Sequence, residues 1–272
     1  MARAIQNPKP PAAMSVAGSD SGAGAGIQAD LLTFAAHGVY GTTAITAITA
    51  QNPDKVGAIS PCDAGAFAKQ LELCASFYAP AAAKTGMLFD AKTAELCADF
   101  FDLHPNILLV VDPVMFSTSG AKLLKDDASN ILKTRLIPRS TIFTPNLDEA
   151  SFLLGGIAIT PDNQMESAAR LAKEFGACAL LKGGHLSSDL ISDILAFPDG
   201  KIVEFPSKRV RGVDTHGSGC TLSAAITANL ALGLSVENSC LTAQKYIVEC
   251  MRHPIEVGGR RFINHFPPKS CS

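Results

Sequence analysis

The stretch "ILLVVDPV", residues 107–114, decides the fold. Its five leading apolar residues leave no polar face for water, so as a strand it is covered on both sides, and Asp112-Pro113 ends it. Such a strand belongs to a parallel sheet with helices on both faces. The same pattern recurs outward from it. Upstream, "AMSVAGSD" ends a short apolar run in polar and glycine residues, "TTAITAITA" is rich in Thr and Ile, and "AAAKTGML" is strand-like. Downstream, "STIFTPN" and "CALLKGGH" read as further strands. Helical patterns lie between them: "GIQADLLTFAAHG" with Gly38 as its stop, "DAGAFAKQLELCASFY", "DAKTAELCADFFDLH", "DDASNILKTRLI" and "LDEASFLLGG". Thr160-Pro161 is the predicted N-cap and first-turn pair of a helix ending at Gly176. "LISDILAF" and "KIVEFPSKRV" flank Pro198-Asp199-Gly200 and predict an antiparallel hairpin. The last two predicted helices are Gly219–Gly233 and Ser235–Arg252. The alternation predicts an α/β fold with a central, mostly parallel sheet and an antiparallel edge hairpin. Residues 1–12 read as a Pro-rich N-terminal arm, 13–266 as one domain and 267–272 as a C-terminal tail.

Composition narrows the function classes. The 272-residue chain is 47% hydrophobic, contains no tryptophan and carries a formal net charge of −2, which gives no electrostatic footprint for nucleic acid or an anionic membrane. Apolar stretches are broken by Thr, Asn, Asp or Gly well before the ~18 residues of a membrane span. The eight cysteines (62, 74, 97, 178, 220, 240, 250 and 271) include no C-x-x-C pair and no finger-type spacing. The N-terminal "MARAIQNPKPPAAM" has no apolar h-region, so the expectation is a cytosolic protein with reduced, mostly buried thiols.

In open α/β sheets, ligands bind beyond the carboxyl ends of the strands. The polar and glycine residues collect there: Gly18-Ser19-Asp20, Gln51-Asn52, Lys84-Thr85-Gly86, Asp112-Pro113, Pro145-Asn146 and Lys182-Gly183-Gly184-His185. "DTHGSGCTLSAAITANLALG", residues 214–233, puts glycines at a helix start, where bare N–H groups and the helix dipole favour an anion. The competing reading is an ordinary glycine turn before a buried helix. Cys220 stands in the first turn, where the dipole favours thiolate; otherwise it is a small buried cysteine. "GSDSGAGAGIQAD" has neither the Lys-Ser/Thr of a P-loop nor the G-x-G-x-x-G register, but it lets a small ligand lie against backbone. Asp30, near the start of the helix that follows, is otherwise a charge satisfying the helix dipole. Asp112 and Glu149 suit Mg²⁺ on a triphosphate, which needs few protein carboxylates; Asp148 and Glu149 equally suit helix capping. Lys182 is placed to neutralise phosphate, or is a solvated charge. His185 and His216 read as hydrogen-bonded loop residues. These parts fit phosphoryl transfer without a P-loop, a reaction governed by positioning and charge neutralisation.

The segments "VAGSDSGAGAGIQADLLTFAAHGVYG", "TAITAQNP", "AKTGML", "VDPVM", "TPNLDEA", "LLKGGH" and "THGSGCTLSAAI" occur in this order. Together they resemble the hydroxymethylpyrimidine/phosphomethylpyrimidine kinases of thiamine biosynthesis, within the ribokinase-like superfamily. The resemblance covers roughly residues 14–255. It implies a three-layer α/β/α fold and two ATP-dependent steps, which phosphorylate 4-amino-5-hydroxymethyl-2-methylpyrimidine and then its monophosphate. It further implies Gln51, Gly18, Asp30 and Met87 at the pyrimidine and Cys220 as base. Gly217, Ser218 and Gly219 become the anion hole, Asp112 and Glu149 stand near Mg²⁺–ATP, and Lys182 meets phosphate. A homodimer is the implied assembly. Two departures stand out. The tail "EVGGRRFINHF" lacks the family's lysine, with Arg260 or Arg261 as its replacement, and Ala23 stands where glycine is frequent. The rival readings are a pyridoxine/pyridoxal kinase, whose substrate is also a flat ring with a hydroxymethyl arm, and a non-catalytic vitamin-binding module.

Overall fold

The apolar runs join into one nine-stranded sheet in the computed structural model, which describes residues 9–115, 126–184 and 190–268. The strands are β1 (Ala12–Asp20), β2 (Tyr40–Asn52), β3 (Lys55–Pro61), β4 (Ala82–Thr85), β5 (Leu108–Val111), β6 (Ile142–Phe143), β7 (Cys178–Leu181), β8 (Leu190–Ala196) and β9 (Ile202–Lys208). Their order is β3-β2-β1-β4-β5-β6-β7-β8-β9. Pairing is parallel from β2 through β7 and antiparallel at β2–β3, β7–β8 and β8–β9. The helices are α1 (Gly26–Ala36), α2 (Ala64–Tyr78), α3 (Ala91–Leu103), α4 (Asp126–Ile131), α5 (Ile137–Arg139), α6 (Leu147–Leu153), α7 (Gln164–Phe175), α8 (Ser218–Ala231) and α9 (Val236–Arg252). A separate hairpin, β10 (Ile255–Val257) with β11 (Arg260–Phe262), follows them.

The central strands are apolar on both sides because both sides are covered. Leu109 and Val111 pack with Phe67, Leu71, Phe101 and Leu171 from α2, α3 and α7. Val110 faces the other way, with Leu222, Ile226 and Ile247 from α8 and α9. Every residue of α8 from Thr221 to Leu230 is buried. Its small side chains let it lie between the sheet and its neighbours α1 and α9, which sets its N-terminus against the strand ends.

The expected strands and helices form, with four local differences. β3 gives the sheet a second antiparallel edge; its largely exposed residues carry no apolar signal. The β10–β11 hairpin was likewise unexpected. Helix α7 begins later than Thr160-Pro161 predicts: its N-cap is Asn163, whose Oδ1 accepts from the Thr160 N–H at 2.8 Å. Between α4 and α5 the helix takes a π turn over Leu132–Leu136, with the Ile137 N–H bonded to the Leu132 carbonyl, just before Pro138. Proline has no N–H to continue an α-helical ladder, and the wider turn accommodates it. His185 and Cys271 lie outside the described residues, as do 1–8 of the expected arm and 269–272 of the expected tail.

Candidate active site

The chain runs from β1 to β2 on one side and returns to β4 on the other, so the sheet switches direction at β1/β4. A cavity of about 880 Å³ opens over the carboxyl ends of the strands there. Gly18, Asp20, Gln51, Met87, Asp112, Glu149, Lys182, His216, Gly217, Ser218, Gly219 and Cys220 all line it.

Two glycine turns meet at its centre. Gly217 is the N-cap of α8, with φ +78°, and supplies no side chain to the first-turn N–H groups. A Cβ on Gly217 would stand 1.8 Å from the Gly24 carbonyl oxygen. Asp20 holds the neighbouring loop closed by accepting from the N–H groups of Gly22 (2.7 Å) and Ala25 (2.8 Å). His216 Nε2 lies 3.1 Å from Asp20 Oδ2 and ties the two turns together. Burial works to raise the Asp20 carboxyl, but hydrogen bonds from His216, Gln51 and the loop N–H groups outweigh it and hold the group at about 2. Ala23 takes φ +59° in this loop, a left-handed conformation that explains why glycine suits the position.

A charged cluster flanks the α8 N-terminus. Lys182 Nζ donates to Asp112 Oδ1 at 3.2 Å, and Asp112 also accepts from Thr144 (3.2 Å) and Ser223 (3.1 Å). A Cβ on Gly219 would come within 3.3 Å of Lys182 Nζ, so the ammonium and the helix terminus face the same space. Burial opposes ionisation of Asp112, but Lys182 and Lys84 outweigh it and hold the carboxyl below its ordinary range. Glu149 does what the capping reading expects. Its side chain accepts from the Asn146 N–H at 2.8 Å while Asn146 Oδ1 caps the Glu149 N–H at 2.9 Å. It also lines the cavity, and burial pushes its carboxyl up to about 7.

Two expectations are corrected. Asp30 does not line the cavity: it is fully buried, 2.8 Å from the equally buried Lys84 Nζ, and accepts from Ser15 Oγ at 2.5 Å. Helix α1 turns it into the sheet, where it holds Lys84 charged against the cost of burial. Cys220 does stand in the first turn of α8, but its thiol is not shifted toward thiolate. Burial pushes it up to about 11, with Asp30 and Asp112 adding to the rise and Lys84 and the Gly26 N–H opposing it. Neither Arg260 nor Arg261, which stand in place of the family's tail lysine, lines the cavity. Conversely, Asp20, His216 and Asp193 belong to the wall without having been chosen as site residues. Asp20 closes β1 as Asp112 closes β5, a signal the strand-end rule already contained. Asp193 accepts from the Gly183 N–H at 2.8 Å and fixes the turn after Lys182.

A mostly parallel sheet, an uncapped helix terminus beside a lysine and strand-end carboxylates define a ribokinase-like small-molecule kinase. Comparison with known proteins makes this particular: the family model described as phosphomethylpyrimidine kinase matches residues 20–265, and the chain belongs to that family. It is 42% identical over 258 residues to the hydroxymethylpyrimidine/phosphomethylpyrimidine kinase of Haemophilus influenzae, covering 93% of this chain and 96% of that one. The crystal structure of phosphomethylpyrimidine kinase from Clostridium difficile 630 superposes with a TM-score of 0.77 at 38% identity, over 88% of this chain and 98% of that one. An ADP complex of Bacillus subtilis pyridoxal kinase gives 0.86 at 33% identity, over 94% and 97%.

Three outcomes follow from this geometry. Lys84→Met leaves Asp30 buried without its partner and costs about 3–5 kcal/mol of stability in urea unfolding; a loss below about 1 kcal/mol would contradict a buried ion pair. Gly217→Ala cannot keep its turn against Gly24 and lowers kcat at least about tenfold, whereas near-normal turnover would show the turn to be adaptable. Alkylation of Cys220 by iodoacetamide, followed by peptide mass spectrometry, accelerates about tenfold per pH unit from neutrality to about pH 10. A plateau below pH 8 would mean a thiolate already present at neutral pH.

Proposed function

We propose that this kinase transfers the γ-phosphoryl group of ATP to the hydroxymethyl group of 4-amino-5-hydroxymethyl-2-methylpyrimidine. In a second step it phosphorylates the monophosphate to the diphosphate, for thiamine biosynthesis. One observation carries the reading. A single cavity is lined both by Gly18, Met87 and Gln51 and by the uncapped α8 N-terminus with Lys182. The family of the chain supports the same acceptor.

Each role follows from chemistry. The Gln51 carboxamide offers a donor and an acceptor side by side, complementary to a ring nitrogen and an exocyclic amine. Met87 packs on the ring, and Gly18 leaves it room. The backbone N–H groups of Gly217 and Gly219 face the charge that develops on the moving phosphoryl group, and Lys182 adds a fixed cation; the Ser218 N–H, expected beside them, instead donates to the Thr215 carbonyl at 3.0 Å. Asp112 and Glu149, the latter easily deprotonated from a value near 7, suit Mg²⁺ carried by the nucleotide phosphates and water. When bound, that ion neutralises phosphate charge. Cys220 contacts the acceptor hydroxyl from the first turn of α8. With its thiol raised to about 11, only on the order of 1 in 10⁴ molecules carries thiolate at pH 7. A loose transition state asks little of a base, so Cys220 chiefly orients the hydroxyl while the anion hole and Lys182 carry the larger share. The sheet continuous from β3 to β9 supports residues 13–266 as one kinase domain. Among the described residues no helix is long and apolar enough to cross a membrane. A cytosolic homodimer completes the proposal, and sedimentation equilibrium tests the dimer.

Pyridoxal is the second acceptor to examine, because the Bacillus subtilis pyridoxal kinase superposes so closely. Purified protein with Mg–ATP is expected to turn over the pyrimidine and its monophosphate faster than pyridoxal; the opposite order would overturn the pyrimidine assignment. Lys182→Met is expected to lower kcat by about 10²–10³, and Cys220→Ala by less. A larger loss from Cys220→Ala, with KM unchanged, would restore Cys220 to the role of base.

A further inference from the structure

The tail that departs from the family pattern bonds to two segments that carry cavity residues. Residues 255–262 form the β10–β11 hairpin, with Gly258 and Gly259 at its turn. Arg260 Nη2 donates to Asp54 Oδ1 at 2.5 Å, joining parts of the chain 206 residues apart. Asp54 sits in the turn between β2 and β3. Asn52 Oδ1 shapes that turn by accepting from the N–H groups of Asp54 and Lys55, each at 3.0 Å. Gln51 directly precedes Asn52 and is anchored on its other side by Ser21. The Ser21 hydroxyl donates to the Gln51 carbonyl and accepts from the Gln51 N–H, both at 2.8 Å.

The next tail residue reaches the turn before α8, whose His216 meets the same Asp20 carboxylate as Gln51. The Arg261 carbonyl accepts from the Asp214 N–H at 2.7 Å, and Asp214 Oδ1 accepts from the His216 N–H at 2.9 Å, immediately before Gly217. Two successive residues therefore hold the ribbon that carries Gln51 and the turn that opens α8.

We propose that the β10–β11 hairpin is a strap keeping the β2–β3 ribbon in register with the α8 turn, and that Arg260 is a positioning residue for the acceptor ring rather than a phosphate ligand. The inference rests on the acceptor site lying at Gln51. Arg260 and Asp54 are both exposed, so their attraction is modest and is screened by salt. Its effect is on the order of a few-fold in acceptor affinity, with the chemical step spared.

Charge reversal tests it. Arg260→Glu and Asp54→Lys are each expected to raise the acceptor KM about three- to tenfold, with kcat and the KM for Mg–ATP within about twofold. The double variant is expected to return close to wild type. Hydrogen–deuterium exchange supplies a readout independent of activity: residues 51–56 exchange faster in each single variant and recover in the double. If pyridoxal proves to be the acceptor, the exchange pattern stands and the KM effect moves to pyridoxal, which separates failure of the pyrimidine reading from failure of the strap. Three results would overturn the strap: single variants with unchanged KM and exchange, a double variant no better than the worse single, or an Arg260→Glu enzyme that loses only the second phosphorylation.

Discussion

The contact on which the site depends is the approach of Gly217 to the carbonyl of Gly24. It leaves no room for a side chain and sets one glycine turn against another. The Asp20–His216 bond closes the same junction from the side. Everything the site offers to an anion is referred to this junction, because α8 begins there and is enclosed along most of its length. A helix so confined cannot shift its terminus to suit a ligand; its N–H groups are already aimed. Fixed dipoles of this kind need no reorganisation as charge develops, which is the condition for electrostatic stabilisation of a transferring group.

Around that terminus the buried charges form one interacting set. Lys84 and Lys182 are the cations, and Asp30, Asp112 and Glu149 the carboxylates. Asp30 is spoken for by Lys84 and Asp112 by Lys182. Glu149 has no ammonium of its own, and burial pushes its carboxyl up to about 7. The thiol of Cys220 feels the same competition: Lys84 favours its ionisation while Asp30 and Asp112 oppose it. Burial decides that competition and pushes the thiol up to about 11.

Much of this was legible in the residues. The run at 107–114 announced a strand covered on both faces, and Leu109, Val110 and Val111 are fully buried. The glycines around residue 217 announced a bare helix terminus. What escaped depends on partners far away in sequence. Asp30 near a helix start looks available to a ligand until Lys84, 54 residues on, is found to face it. The dipole argument for Cys220 is correct as far as it goes, but sequence shows a helix start and not the enclosure that raises the thiol. β3 and the β10–β11 hairpin escaped because exposed edge strands carry little hydrophobic period to read. Arg260 was assigned by its charge, whereas its role in the fold depends on a turn near residue 54 that no local pattern connects to it.

The antiparallel ribbon β2–β3 lies at the margin of the sheet, and Gln51 rides on it. The α8 turn, by contrast, is rooted beneath the central strands. On the proposed roles of Gln51 and the α8 turn, selection of the acceptor and transfer of the phosphoryl group are built on parts of unequal permanence. An edge ribbon tolerates substitution and bending without disturbing a buried helix. A descendant of this fold can exchange one flat heterocycle for another by rewriting its margin alone, leaving the transfer apparatus inherited whole.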